Sequence, residues 1–173
     1  IESLTIAISD SMYELDPQHG NTMGTISNHR AIYESLYEWD NASRSYVPSL
    51  ATDCLVSEDG LTWTFTLREG VKFHDGTDLT ADDVVATFQR MLDKRNELTI
   101  PIVLWTLLES VEKIDDYHFS LTTSNKMASF YTSVGKTFIL SSEDIEKYGE
   151  ELFTRQHLNG TGPWMFTEWV DGQ

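Results

Sequence analysis

Residues 60–92, GLTWTFTLREGVKFHDGTDLTADDVVATFQRML, change their hydrophobic period from two to about 3.6 partway along. In the first half, apolar side chains alternate with threonine, which predicts a strand with one face on a core and one face in solvent. The apolar positions of this strand are Leu61, Trp63, Phe65 and Leu67. Turn-forming residues 57–60 precede it, so a short strand around Cys54 and Val56 is predicted to pair with it as a hairpin.

The second half of the same stretch has the pattern of a capped amphipathic helix. Thr80 can cap the first turn, where Asp82 and Asp83 complete a Thr-x-x-Asp capping pattern. The helix is therefore predicted to begin near Ala81. Its apolar face, at helical spacing, consists of Val84, Val85, Phe88, Met91 and Leu92, and polar residues that include Arg90 lie on or near the other side. A strand followed by a helix with one apolar face predicts that this helix covers a sheet.

Composition excludes several classes of protein. The chain has 173 residues, 40% of them hydrophobic, which is enough for a buried core. Its formal charge of −16, from 28 acidic against 12 basic residues, opposes nucleic-acid binding. The single cysteine, Cys54, excludes an intrachain disulfide and a zinc cluster of cysteines. Because the sequence has no run of about 18 apolar residues and no charged and then apolar leader at Ile1, we expect no membrane span and no retained export signal.

Elsewhere the spacing of apolar and turn-forming residues predicts shorter elements. An opening strand over residues 4–8 is followed by a long loop, and a helix is expected over residues 25–37. Residues 37–50 then return to a loop. Strands over residues 111–113 and 118–122 flank a turn and predict a second hairpin.

Three elements are expected after that hairpin. Residues 127–134 suit a short helix and residues 137–140 a strand. An acidic helix is predicted to begin near Ser141 or Ser142, which precede two acidic residues and are good capping residues.

Three sequence blocks resemble those of the extracytoplasmic solute-binding proteins of peptide and nickel ABC importers. They are LDPQHG at residues 15–20, PSLATDCLVSEDGLTWTFTLREGVKFHDGTDLTADDVVATFQRML at 48–92, and NGTGPWMFTEW at 159–169. Their order and spacing both match. The resemblance implies a mixed α/β (α+β) fold, namely a type II periplasmic-binding-protein-like lobe with the extra domain of the peptide-binding family. It also implies an amino-terminal fragment, with the second lobe missing.

The same resemblance implies a division of the chain and a function. Residues 1–33 and 159–173 are expected to belong to ligand-binding domain I, and residues 34–158 to the family-specific extra domain II. The protein is expected to capture oligopeptides or dipeptides outside the cytoplasm, as a periplasmic protein or a cell-surface lipoprotein, and to deliver them to a membrane permease without a cofactor. A nickel-chelate receptor and an extracytoplasmic sensory module are the alternatives.

Ligand contacts in this family come from the segment after LDP. Here that segment supplies Asn21, Thr22, Met23, Gly24, Thr25, Ile26, Ser27 and Asn28. Met23 can give a soft apolar contact, while Thr25 and Ser27 can hydrogen-bond a peptide backbone. The alternative is that these residues only cap the following helix.

Further contacts implied by the resemblance are Arg95, Trp105 and Tyr131. Arg95 corresponds to an arginine with which the nickel branch holds an anionic chelate, although Lys136 stands where a second arginine is expected. Trp105, Tyr131 and Phe130 are candidates for lining a pocket for peptide side chains. Packing in the core is the alternative for these aromatic residues.

The sequence contains no recognisable catalytic motif. His74, Asp75 and Asp78, with the two aspartates at the helix start, have the residue types of an acid–base pair or a metal site. However, Asp75 precedes a glycine in a predicted turn, and the start of the helix explains Asp82 and Asp83. We therefore predict that the protein is not an enzyme and that it holds no metal through these residues.

Overall fold

The largest sheet is antiparallel and contains, in order across the sheet, the strands Ala51–Val56, Thr62–Leu67, His118–Thr123 and Leu108–Lys113. The computed structural model describes residues 15–19, 23–95, 97, 106–149, 153 and 158–168. The elements within these residues are, in chain order, α1 (Met23–Ile32), β1 (Tyr37–Asp40), β2 (Ser45–Pro48), β3 (Ala51–Val56), β4 (Thr62–Leu67), α2 (Ala81–Asp93), β5 (Leu108–Lys113), β6 (His118–Thr123), α3 (Phe130–Val134) and α4 (Ser142–Tyr148). Helices and strands are mixed along the chain, as the sequence predicts.

Strand β4 confirms the alternation predicted for it. Trp63, Phe65 and Leu67 are buried, whereas the intervening threonines are partly exposed. Phe65 lies opposite Phe119 of β6, and the two rings stack with centroids 4.9 Å apart. The predicted hairpin of β3 with β4 is also confirmed, as is the hairpin of β5 with β6.

Helix α2 begins with the predicted capping box. The Thr80 hydroxyl accepts a hydrogen bond from the backbone N–H of Asp82, and the Asp83 carboxylate accepts one from the backbone N–H of Thr80. Val84, Phe88 and the other apolar residues of this face pack against β5 and β6. The helix therefore covers the sheet, as predicted from its apolar face.

The buried side chains form two clusters. The first lies between the sheet and α2 and includes α3, and it contains most of the buried apolar residues. The second consists of Leu15, Ile32, Tyr33, Phe138, Leu140 and Leu158. It joins the end of α1 to the segments on either side of α4.

The loop predicted for residues 37–50 is wrong, because β1 and β2 form a hairpin there. Trp39 faces Tyr46 across the two strands, with ring centroids 5.3 Å apart. The Asp40 carboxylate accepts hydrogen bonds from the backbone N–H groups of Ala42 and Ser43 and stabilises the turn. Local side-chain bonding thus makes a tight turn that the sequence pattern does not reveal.

Three other predicted elements differ from the structure. Helix α1 ends at Ile32 instead of continuing to residue 37, and α3 covers only Phe130–Val134 of the predicted 127–134. Residues 137–140 contribute a single bridge, between Ser35 and Phe138, and no strand. The strand predicted over residues 4–8 lies outside the described residues.

Candidate ligand-binding site

The carboxyl end of α1 is held by the NGTG segment, residues 159–162. The backbone N–H of Gly162 donates to the carbonyl oxygen of Ile32 at 2.8 Å, and the N–H of Trp164 donates to that of Ala31 at 3.0 Å. A Cβ atom at Gly160 would lie 2.1 Å from the Ile32 carbonyl oxygen. Glycine is therefore required at position 160 for this close approach, and α1 ends where these long-range donors take its last carbonyl groups.

The His74 side chain holds the same segment from the other side. Its Nδ1 accepts a hydrogen bond from the backbone N–H of Gly160 at 3.3 Å, so its proton is on Nε2. That Nε2 donates to the carbonyl oxygen of Gly162 at 2.8 Å. Both ring nitrogens of His74 are thus used in binding the backbone of residues 160–162.

Asn159 connects two carboxylates. Its Nδ2 group donates to Asp75 and to Asp144, each at 2.9 Å, and its Oδ1 accepts from the backbone N–H of Asp75 at 3.3 Å. Asp144 lies in the first turn of α4. The His74–Asp75 turn, residues 159–162 and α4 therefore form one bonded unit.

The other residues considered for catalysis each have a separate structural role. Asp78 pairs with Lys72 at 2.7 Å on the surface, and Asp82 pairs with Lys113 at 2.8 Å. Asp83 is buried and caps α2. Within the part of the chain that the structure describes, no group of three or more His, Cys, Asp or Glu residues is placed to hold a metal ion.

A buried ion pair fixes the LDPQH segment to α2. Arg90 Nη2 lies 2.5 Å from Asp16 Oδ2, with only 10% and 8% of the two side chains exposed. Arg90 Nη1 also donates to the side-chain oxygen of Gln18, whose Nε2 donates to the Thr87 carbonyl oxygen at 3.2 Å. The sequence pattern places Arg90 on the polar side of α2, so its burial is not predicted from the sequence.

Helix α1 carries several of the predicted ligand contacts. Met23, Gly24 and Thr25 form its first turn, of which the structure describes the backbone. Ser27 is exposed and Asn28 is half-buried on the same helix. Asn21 and Thr22 lie outside the described residues.

Tyr33 follows α1 and packs in the second cluster. Burial strongly raises the pKa of its hydroxyl, and the nearby carboxylates of Asp16 and Asp144 raise it further. The hydroxyl therefore stays protonated. It is a neutral group between the LDPQH segment and α4.

Arg95 and Tyr131 contact other parts of the structure. Arg95 donates to the carbonyl oxygen of Leu108, the first residue of β5, at 2.5 Å. The Tyr131 ring packs against Tyr37 and Trp63, with centroids 4.9 Å and 5.8 Å apart, beside the first cluster. Their roles in ligand binding stay predictions, and Trp105 lies outside the described residues.

Comparison with known proteins identifies the family. The model of the family described as "Bacterial extracellular solute-binding proteins, family 5 Middle" matches residues 45–173. The chain belongs to this family. Among its relatives, heme-binding protein A of Haemophilus influenzae is 34% identical over 163 residues, which cover 82% of this chain and 30% of the relative.

Solved structures give the same fold. The oligopeptide-binding protein AppA from Bacillus subtilis, in complex with a nonapeptide, matches with a TM-score of 0.85 and 29% identity over 94% of this chain and 34% of that chain. NikZ from Campylobacter jejuni, in complex with Ni(L-His), matches with a TM-score of 0.81 and 26% identity over 95% of this chain and 33% of that chain. The chain thus spans about a third of the length of these relatives.

The family 5 assignment confirms the resemblance seen in the sequence and the expected type II periplasmic-binding-protein fold. The relatives are binding proteins, and the family is one of extracellular proteins. None of the helices in the described ranges is both long and apolar enough to cross a membrane.

Proposed function

We propose that the protein is the solute-capturing component of an ABC importer and that its solutes are oligopeptides or dipeptides. The observation that carries this proposal is the match to an oligopeptide-binding protein in complex with a nonapeptide, over 94% of this chain. Membership of the solute-binding family supports the first half of the proposal. The partner is then a membrane permease, to which the loaded protein delivers its peptide.

Helix α1 is the part of the described structure that we propose to contact the peptide. Ser27 and Asn28 can exchange hydrogen bonds with a peptide backbone, and the first turn of α1 adds Met23, Gly24 and Thr25. Asn21 and Thr22 complete this proposed contact. Trp105 and Tyr131 are proposed to line a pocket for a peptide side chain.

A nickel chelate is the second candidate solute, because NikZ with Ni(L-His) has a similar fold over 95% of this chain. The described structure supports peptides better. Arg95, the arginine expected to hold an anionic chelate, donates to a backbone carbonyl group of β5. The formal charge of −16 also disfavours anionic solutes.

Two units are proposed within the chain. Residues 1–33 and 159–173 form part of ligand-binding domain I, and residues 34–158 form extra domain II. The division is supported by the two buried clusters, since Leu15 and Ile32 belong to the second and nearly all of the sheet belongs to the first. Phe138, Leu140 and Leu158 of the proposed domain II also belong to the second cluster, so the two units share this cluster as an interface.

The proposed protein works outside the cytoplasm, in a periplasm or anchored to a cell surface as a lipoprotein, and it performs no catalysis. His74 and Asp75, the residues best suited by type for acid–base chemistry, hydrogen-bond residues 159–162 instead. Their engagement supports a binding protein over an enzyme.

Isothermal titration calorimetry of the full-length protein tests this function. The titrants are di-, tri- and nonapeptides, Ni²⁺ with histidine, heme, and a disaccharide as the matched neutral control. Saturable binding of peptides with micromolar or tighter dissociation constants is expected. Binding of the nickel complex alone would replace the peptide proposal with its alternative, and binding of the disaccharide alone would reject both.

A further inference from the structure

One arginine of α2 joins three separate segments. Arg90 makes a forked contact with Asp16, through Nη2 at 2.5 Å and Nη1 at 3.4 Å, and Nη1 also contacts Gln18. Its guanidinium lies over the Phe153 ring, 5.2 Å from the centroid, beyond the end of α4. We call Arg90, Asp16, Gln18 and Phe153 the Arg90 cluster.

The burial of this cluster indicates a role in geometry. A buried ion pair gives little net stability, because the loss of hydration offsets most of the attraction between the charges. A forked arginine–carboxylate contact fixes both distance and orientation, which a single contact from a lysine does not. The Arg90 cluster therefore fixes where residues 15–19 lie more than it stabilises the fold.

Residues 15–19 connect α2 to α1 through contacts on both sides. On one side, Gln18 donates to the Thr87 carbonyl oxygen of α2. On the other, Leu15 packs in the second cluster with Ile32 and Tyr33 at the end of α1. Residues 15–19, the segment that Arg90 holds, therefore connect α2 to the end of α1, beside the separate contact of residues 159–164 with the last carbonyl groups of α1.

We infer that Arg90 is a positioning residue for ligand binding, which acts through Asp16 and Gln18 to orient α1 and its Ser27–Asn28 surface. This inference rests on the proposed function. Arg90 itself touches no ligand in this proposal. Its effect is to order α1 before binding, so that less ordering is needed when the ligand binds.

Two variants of the full-length protein test the inference. Arg90→Lys keeps the positive charge and removes the two-point contact with the Asp16 carboxylate. Asp16→Asn removes the negative charge and keeps an oxygen that can accept from the backbone N–H of Gln18. The matched control is Phe88→Leu, a fully buried residue of the same helix that packs in the first cluster. The measurements are the melting temperature and, well below it, the dissociation constant for the short peptide that the wild type binds most tightly.

Arg90→Lys and Asp16→Asn are each expected to raise the dissociation constant about tenfold, mainly through faster dissociation. Phe88→Leu is expected to lower the melting temperature at least as much as those two variants do, because it leaves a cavity in the first cluster. Its dissociation constant should stay within about twofold of the wild type, since that cluster does not hold residues 15–19. A merely structural role for Arg90 would lower the melting temperature and leave the dissociation constant unchanged, and that result would overturn the inference.

Hydrogen exchange without ligand separates this inference from the proposed function. Arg90→Lys is expected to speed exchange of the amides of α1 about tenfold and to leave those of β4 unchanged. If the wild type binds none of the peptides, the proposed function fails while exchange still decides the positioning of α1. Unchanged exchange in α1 would overturn the inference whatever the solute.

Discussion

Asp83 and Ser142 are joined by two hydrogen bonds, since Oδ1 of Asp83 accepts from both the backbone N–H and the hydroxyl of Ser142 at 2.8 Å. The other carboxylate oxygen accepts from the backbone N–H of Thr80 at 2.8 Å. One buried carboxylate therefore caps α2 and also fixes the first turn of α4.

Asp83→Ala is expected to lower the free energy of unfolding by about 3 kcal/mol, because the N–H groups of Thr80 and Ser142 lose their acceptor. Urea unfolding of the full-length protein, followed by circular dichroism, measures this change. Asp82→Ala is the control in the same turn, since the Asp82 carboxylate is exposed and should matter much less. Equal losses for the two variants would contradict the double cap.

The two functions of Asp83 differ in how far the sequence predicts them. The capping box depends on Thr80, three residues away, so its pattern is visible in the sequence. The bonds to Ser142 depend on a contact between residues 59 positions apart. Local patterns predict local bonds, whereas the second function follows only from the fold.

The candidate site shows the same limit. The turn at His74 and Asp75 is predicted from its Asp-Gly pair, but its partners at Asn159–Gly162 are distant in sequence. Arg90 is predicted on the polar face of α2, because amphipathic spacing cannot show that Asp16 lies against it. Family resemblance brings these blocks together without giving the contacts between them.

Gly160→Ala is expected to destabilise the protein by about 3 kcal/mol, because the new Cβ would lie 2.1 Å from the Ile32 carbonyl oxygen and either α1 or residues 158–162 must shift. Thermal and urea unfolding measure the loss. The control is Gly70→Ala, because an added Cβ at position 70 would meet no atom within 4 Å. The positive φ of Gly70, +74°, should make this substitution cost only about 1 kcal/mol of backbone strain. A smaller loss at Gly160 than at Gly70 would show that the close approach is absent.

Cys54 is expected to react slowly with thiol reagents. Burial raises the pKa of its thiol from 9.0 to about 11, although a hydrogen bond with Tyr131 offsets part of this rise. At about pH 8 the folded protein should react at least about tenfold more slowly than the unfolded chain, since the lower thiolate fraction outweighs the higher nucleophilicity of each thiolate.

The rate of reaction with a disulfide reagent, in the native protein and in guanidinium, measures this difference. Tyr131→Phe is the matched variant, and it should slow the native reaction further because the hydrogen bond that favours the thiolate is lost. The pKa of the Cys54 thiol is higher in the folded protein than in the unfolded chain. Its protonated form therefore contributes fully to the free energy of unfolding below about pH 9, and this contribution is lost as the pH rises through about 11. Equal native and unfolded rates would contradict the burial of the thiol.

His74→Ala is expected to lower the free energy of unfolding by about 2 kcal/mol, because it removes two hydrogen bonds and leaves the Gly162 carbonyl oxygen and the Gly160 N–H without their partner. Urea unfolding of the full-length protein measures the loss, and His118→Ala, which changes an exposed histidine of the β5–β6 hairpin, is the control with little expected effect. His74→Gln should recover part of the stability, since its side-chain amide can donate to Gly162. A hydrolytic activity that disappears in His74→Ala at an unchanged melting temperature would instead make His74 a catalytic residue, and the binding function would then need revision.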